Sequence, residues 1–135
     1  LEILKQIPFL NIDSFINNAR LIPDSEIERK RSIAELWHWR SRTRQMIEEK
    51  RVPPAGIGFE SFDQIVRAAA KEAYKKGDLA DIIDEDFVVM GKSYRELSDD
   101  EWSEVRSITM ERHHALNWIC GYAKGNQYDQ TPTDT

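Results

Sequence analysis

The sequence predicts a mostly α-helical domain with two long helices, shorter packing helices and room for a small β-hairpin. Three observations carry this. Ser-x-x-Glu capping boxes stand at Ser25/Glu28 and Ser98/Glu101. Neither is followed by a glycine or proline until Pro53 and Gly121, respectively. A third stretch, "SFDQIVRAAAKEAYKKG", has apolar residues at helical spacing between a serine and a glycine. A chain of 135 residues suffices for one core, so a single helical domain over 1–135 is expected.

Taken in order, "LEILKQIPFLNIDSFINNARLIPD" is apolar and irregular. Asp13 can cap a short helix through Arg20 with Phe15, Ile16 and Ala19 inward, between Pro8 and Pro23. The first long helix should start at its Ser25/Glu28 box and stop at Pro53-Pro54. That is about 26 residues, or roughly 40 Å at the rise of an α-helix. Trp37 and Trp39 fall about 160° apart on its wheel, so two buried tryptophans would require neighbours on two sides.

"PPAGIGFES" reads as a loop. In the helix that follows, Ser61 is the expected cap and Gly77 the stop. Phe62, Ile65, Val66, Ala69 and Ala73 form the inward stripe. Lys75 and Lys76 suit the negative end of its dipole. Residues 78–97 admit either a short strand or hairpin around Phe87, Val88 and Val89, or an extended connector. The last helix should run from its Ser98 box to Cys120. Its stripe is Trp102, Val105, Ile108, Thr109, Leu116 and Ile119. The tail "KGNQYDQTPTDT" is polar and should be irregular.

Composition narrows function by exclusion. The formal net charge is −5, from 24 acidic and 19 basic side chains, which argues against a nucleic-acid partner. No apolar run is long enough to span a bilayer, and no secretory signal is visible at the start. A lone cysteine, Cys120, has no partner for an internal disulfide, which favours a reducing cytoplasm. At a helix C-terminus its thiol should be inert, a small core residue. No nucleophile elbow, phosphate loop or Cys-x-x-Cys occurs. No cofactor is expected. The opening on Leu1 is compatible with the C-terminal part of a longer protein.

Several polar residues sit where a core should be. Arg112 falls near the middle of the last helix's apolar stripe, and Arg40 and Arg44 lie on the Ile33/Trp37/Ile47 side of the first. A buried guanidinium requires carboxylates or main-chain carbonyls beside it, unless its stem lies along the core with its head in water. In "ERHHALNW" the two histidines point about 100° apart, so they do not grip one ligand. His113 can reach Asn117, four residues on. Glu35/His38 and Glu111/His114 are both Glu-x-x-His pairs, the pattern of carboxylate di-metal bundles, with Glu60 and Glu72 as conceivable further ligands.

"HWRSR" at 38–42, "PPAG" at 53–56, "ERHHALNWICGY" at 111–122 and "TDT" at 133–135 together resemble an uncharacterised bacterial family, domain of unknown function 4272. The resemblance covers residues from about 24 to 135. It implies a mostly helical cytoplasmic protein. It draws attention to His38, Trp39, Arg42, Glu111, Arg112, His113, Asn117 and Trp118. It also implies a longer N-terminal region. The family pattern does not fall on Glu35 and more often has an aromatic at position 114, which counts against the di-metal pattern. No activity comes with the family name.

Two main readings follow. In one, His38, Arg42, Glu111, Arg112, His113 and Asn117 form a buried hydrogen-bond network joining the long helices, with the Thr-Asp-Thr tail adding acceptors. In the other, they line a cleft for an anion or small polar ligand, with His38 or His113 moving protons and arginine as a clamp. The expected function is a non-enzymatic interaction or binding module whose partner is another protein or a second copy, without nucleic acid or membrane. The alternatives are a hydrolytic or ligand-binding enzyme using His38 and His113, and a carboxylate-histidine metal protein.

Overall fold

The structure, a computed structural model, describes residues 24–120. The helix expected at 13–20, the tail and the Gly121 stop lie outside these residues. Among the described residues the architecture is mostly α. Helix α1 spans Asp24–Glu48, α2 spans Phe62–Lys76 and α3 spans Asp99–Ile119. Between α2 and α3 lie β1 (Ile82–Ile83), β2 (Asp86–Val89), β3 (Lys92–Ser93) and a 3₁₀ turn at Tyr94–Glu96.

Helix α1 differs from expectation at both ends. It begins at Asp24, so Ser25 lies within the first turn rather than capping it. Asp24 and Glu26 complement the dipole there. Its stop comes before the prolines. Lys50 adopts φ 56° and donates its amide to Ile47, while the Arg51 amide donates to Met46. This is a Schellman closure with lysine where glycine usually stands. Helix α2 follows expectation. Ser61 Oγ accepts from the Gln64 amide, and Gly77 at φ 82° closes the other end. Val66, Ala70 and Ala73 are its buried residues, with Phe62, Ile65 and Ala69 half-buried. Helix α3 carries the full reciprocal box. The Ser98 amide donates to Glu101 and the Glu101 amide donates back to Ser98 Oγ, at 2.9 and 3.2 Å.

Of the two options for residues 78–97, the structure takes the hairpin, and takes it twice. Strand β2 pairs antiparallel with β1 through Ile83↔Asp86 and with β3 through Val89↔Lys92. Each connection has two residues, Asp84-Glu85 and Met90-Gly91, all at positive φ. That is the mirror-image turn geometry whose twist matches the strands.

The contacts divide the chain into two compact units, and the division falls inside both long helices. One unit contains 24–38 and 106–120 of the described residues; the other is Trp39–Val105. The first buries Ile27, Ala34, Ala115 and Leu116 together with His38, Thr109, His113 and Asn117. The second buries Val66, Ala70, Ala73, Leu79, Phe87, Tyr94, Leu97 and Val105, around the polar Arg40, Ser41, Thr43, Arg44, Asp86 and Ser93. On the wheel, Ile27, Ala34 and His38 form one line, whereas Arg40, Ser41, Thr43 and Arg44 centre roughly 120° from it. No single stripe describes α1. Trp37 and Trp39 are accordingly both half-buried.

Candidate functional site

The first unit holds the histidine network. His38 comes from α1 and His113 from α3, with 4% and 1% of their surfaces exposed. Their Nδ1 atoms stand 3.0 Å apart, with the rings edge-on at a 63° interplanar angle. Asn117 Nδ2 lies 3.1 Å from His113 Nε2, one helical turn on. Arg31 reaches Asn117 Oδ1 at 3.5 Å, Glu35 at 3.2 Å and Glu28 at 3.3 Å.

These contacts have a direction. A guanidinium only donates, so the Asn117 atom facing Arg31 is the carbonyl oxygen, and the amide nitrogen donates to His113 Nε2. The tautomer that matches these contacts has the His113 proton on Nδ1, donated to His38 Nδ1. The chain of donors runs from Arg31 through Asn117 and His113 to His38.

The remaining expected site residues differ in exposure. Glu111 and Arg112 are exposed, His114 and Trp118 half-buried, all in the first unit. Arg112 was expected inside the stripe. Its side chain instead keeps much of its surface in solvent, yet its surroundings are dense enough for desolvation to lower its pKa. The buried line of α3 runs through Thr109, His113 and Asn117, each four residues from the last. Arg42 is exposed and Trp39 half-buried, both in the second unit. The Trp39 ring centre is 6.5 Å from that of Phe87. Among the described residues no group of three or more His, Cys, Asp or Glu is placed to hold a metal, so Glu35, His38, Glu111 and His114 do not assemble as one. Their pattern is split by His38 turning to His113 and Glu35 to Arg31.

A cavity of about 240 Å³ in the first unit is lined by Asp24, Ile27, Glu28, Ile119 and Cys120. Burial, then the charge and hydrogen bond of Glu28, push the Cys120 thiol up to about 11. That makes it a poor nucleophile near neutral pH.

The second unit contains a polar core of its own. Arg40 donates Nε to Asp86 Oδ1 at 2.8 Å and NH2 to Oδ2 at 2.9 Å. Asp86 also accepts the amides of Phe87 at 2.8 Å and Arg95 at 3.0 Å. Burial alone would raise its pKa. The hydrogen bond and charge of Arg40, then the Phe87 amide and Arg95, outweigh that and hold the carboxyl below its usual range. The Arg40 guanidinium also lies over the Tyr94 ring, 4.4 Å from its centre, and Tyr94 OH shares a 2.7 Å hydrogen bond with Ser41. Burial raises the Tyr94 pKa against the opposing effects of Ser41, Arg40 and Arg44. Arg44 donates to the Tyr94 carbonyl, pairs with Glu48, and lies 4.9 Å from the Trp102 ring centre. The carboxylate and carbonyl that Arg40 and Arg44 required are thus Asp86 and Tyr94 O.

Sequence reasoning named neither Asp86 nor Tyr94, since nothing local marks them as partners of α1. Arg31 was open to detection, because Glu28 and Glu35 stand three and four residues from it. Among the described residues no helix is long and apolar enough to cross a membrane. No family model matches the chain, nor does any curated protein or solved structure.

Proposed function

We propose that this protein is a non-enzymatic interaction module, bacterial and cytoplasmic, of the kind suggested by its resemblance to domain of unknown function 4272. One observation carries the reading. The paired ring nitrogens of His38 and His113 are buried and bonded to each other, and Asn117 takes the second nitrogen of His113. A general base must reach its substrate's proton directly or through one water. A buried pair in mutual contact serves packing specificity better than proton transfer.

The surface supports a protein partner. Ile47, Val52, Ile57 and Phe59 are all exposed large apolar side chains at the end of α1 and in the loop after it. Val52 has 76% of its surface in solvent. Exposed apolar groups so close in sequence are characteristic of binding surfaces, and the partner is a second copy of the chain.

Two measurements test the proposal. Sedimentation velocity over a hundredfold concentration range should show self-association that Val52→Asp with Ile57→Asp abolishes. A concentration-independent monomer overturns that partner. Ester, phosphoester and amide hydrolysis by the wild-type protein should not exceed buffer. Turnover that His38→Gln removes while the far-UV spectrum is retained would establish the enzyme alternative.

A further inference from the structure

The loop between α1 and α2 is held at both ends and exposed between them. Pro53 is buried and anchors its start. Its end is fixed at the α2 cap, where Ser61 Oγ accepts the Gln64 amide at 3.2 Å and the Glu60 amide donates to Gln64 Oε1 at 2.8 Å. Between these anchors, residues 54–60 are exposed without a break. Gly56 and Gly58, at φ 89° and 83°, bend the backbone on either side of Ile57. Left-handed backbone of this kind costs little only for glycine, so the shape of the loop is set before anything binds it.

The charges along this segment are ordered. Lys50 and Arg51 precede the exposed Val52, Ile57 and Phe59, and Glu60 follows them. The neighbouring charges are matched within the chain. Glu48 pairs with Arg44 at 3.2 Å, and Glu49 takes both Gln45 and Arg51, at 2.8 and 2.7 Å. The exposed side chains of Lys50 and Glu60 make no ion pair among the described residues. In a two-fold contact, where residue i of one copy meets j of the other, j also meets i. A basic, apolar, acidic order is therefore complementary to itself when two loops run antiparallel. Aligned parallel, the same loops would set Lys50 against Lys50 and Glu60 against Glu60.

We infer that two copies of the chain pair loop to loop about a two-fold axis, Lys50 of each against Glu60 of the other, with Val52, Ile57 and Phe59 packed between. The inference rests on the self-association proposed above and assigns its geometry. The two charge pairs fix the register, while burial of the apolar groups provides most of the affinity.

Sedimentation velocity of charge-reversed full chains tests this. Lys50→Glu alone and Glu60→Lys alone should each self-associate at least about tenfold more weakly than wild type, since each sets like charges together at both ends. An equimolar mixture of the two should regain wild-type association, because opposite charges meet again at both ends of the mixed pair. The combined variant Lys50→Glu/Glu60→Lys should regain it as well. Reversals without effect, or a mixture no tighter than its parts, overturn the pairing. Should a variant not fold, carbodiimide coupling of the native protein decides, since it joins a touching carboxylate and amine as an amide. In an equimolar mixture of ¹⁴N- and ¹⁵N-labelled chains, Lys50–Glu60 links should carry mixed isotopes. Such links within a single isotope only, or links between copies only at other sites, overturn it. A dimer that Val52→Asp with Ile57→Asp abolishes, but that ignores the reversals, overturns this geometry and leaves the second copy as partner. A monomer at every concentration overturns both.

Discussion

Arg40 holds both carboxylate oxygens of Asp86 in a fork, at 2.8 and 2.9 Å, with 1% of the arginine side chain and none of the aspartate exposed. The two partners are not equally dependent. Without Arg40, Asp86 keeps the amides of Phe87 and Arg95. Without Asp86, Arg40 keeps Thr43 Oγ1 at 3.4 Å and the face of Tyr94. Asp86→Ala should therefore cost about 3–5 kcal/mol, the usual result of stranding a buried charge. Arg40→Met should cost less. Urea denaturation of both variants and their double checks it. A loss below about 1 kcal/mol for Asp86→Ala would contradict the assigned role.

Glu101 ties the start of α3 to β3, bonding the Ser98 amide and Lys92 Nζ at 2.9 and 2.7 Å. The Lys92 hydrogen bond first, then the Ser98 amide, lower its pKa from 4.5 to about 2. A depressed carboxyl contributes stability that is present above the unfolded value and fades as pH falls toward the folded one. Glu101→Gln keeps a capping oxygen but loses the charge. Its melting temperature should lie below that of wild type at pH 6, and the gap should close between pH 4.5 and about 2. A gap that persists unchanged to the acid end contradicts the assignment.

The turns of the double hairpin should respond in opposite directions. Glu85 sits at φ 56°, where a side chain is costly. Glu85→Gly should stabilise by roughly 0.5 kcal/mol, the left-handed strain removed less the chain entropy of glycine. Gly91, at φ 73° with open space where a Cβ would go, should lose about 1 kcal/mol on substitution by alanine, from backbone strain alone. Paired urea midpoints measure both. Loss in the first variant would show that the Lys71–Glu85 ion pair, 2.9 Å long, outweighs the strain.

Cys120 should alkylate slowly. With its pKa raised to about 11, iodoacetamide at pH 7.5 should react about two orders of magnitude more slowly than with a free thiol, through loss of thiolate. Glu28→Gln should speed the reaction, because Glu28 contributes to the shift through charge and hydrogen bond. A rate unaffected by Glu28→Gln would leave burial, with the smaller effect of Asp24, as the cause.

Local rules made much of this fold legible. Ser61, Ser98, Glu101 and Gly77 act as their positions suggested, because caps depend on residues within one turn. The stop at Lys50 was not legible, since a lysine rarely takes the left-handed conformation. Nor was the second hairpin turn, where Met90 stands in place of a turn former. Within the candidate site, the His113–Asn117 contact follows from helical spacing. The His38–His113 contact crosses 75 residues and the Arg40–Asp86 pair 46, so no periodicity could join them. What the sequence did offer was the demand. Arginines on a core-facing side required acceptors, and the structure supplies Asp86 and the Tyr94 carbonyl.

The first unit is discontinuous, built from two stretches separated by the whole of Trp39–Val105. The His38–His113 contact therefore closes a far longer loop than any contact confined to the hairpins. Loop-closure entropy and folding rate both disfavour distant pairings until intervening structure shortens the effective loop. The order of assembly follows. The continuous segment consolidates early, its hairpins bringing Asp86 to Arg40. The histidines meet last, once α3 has been made.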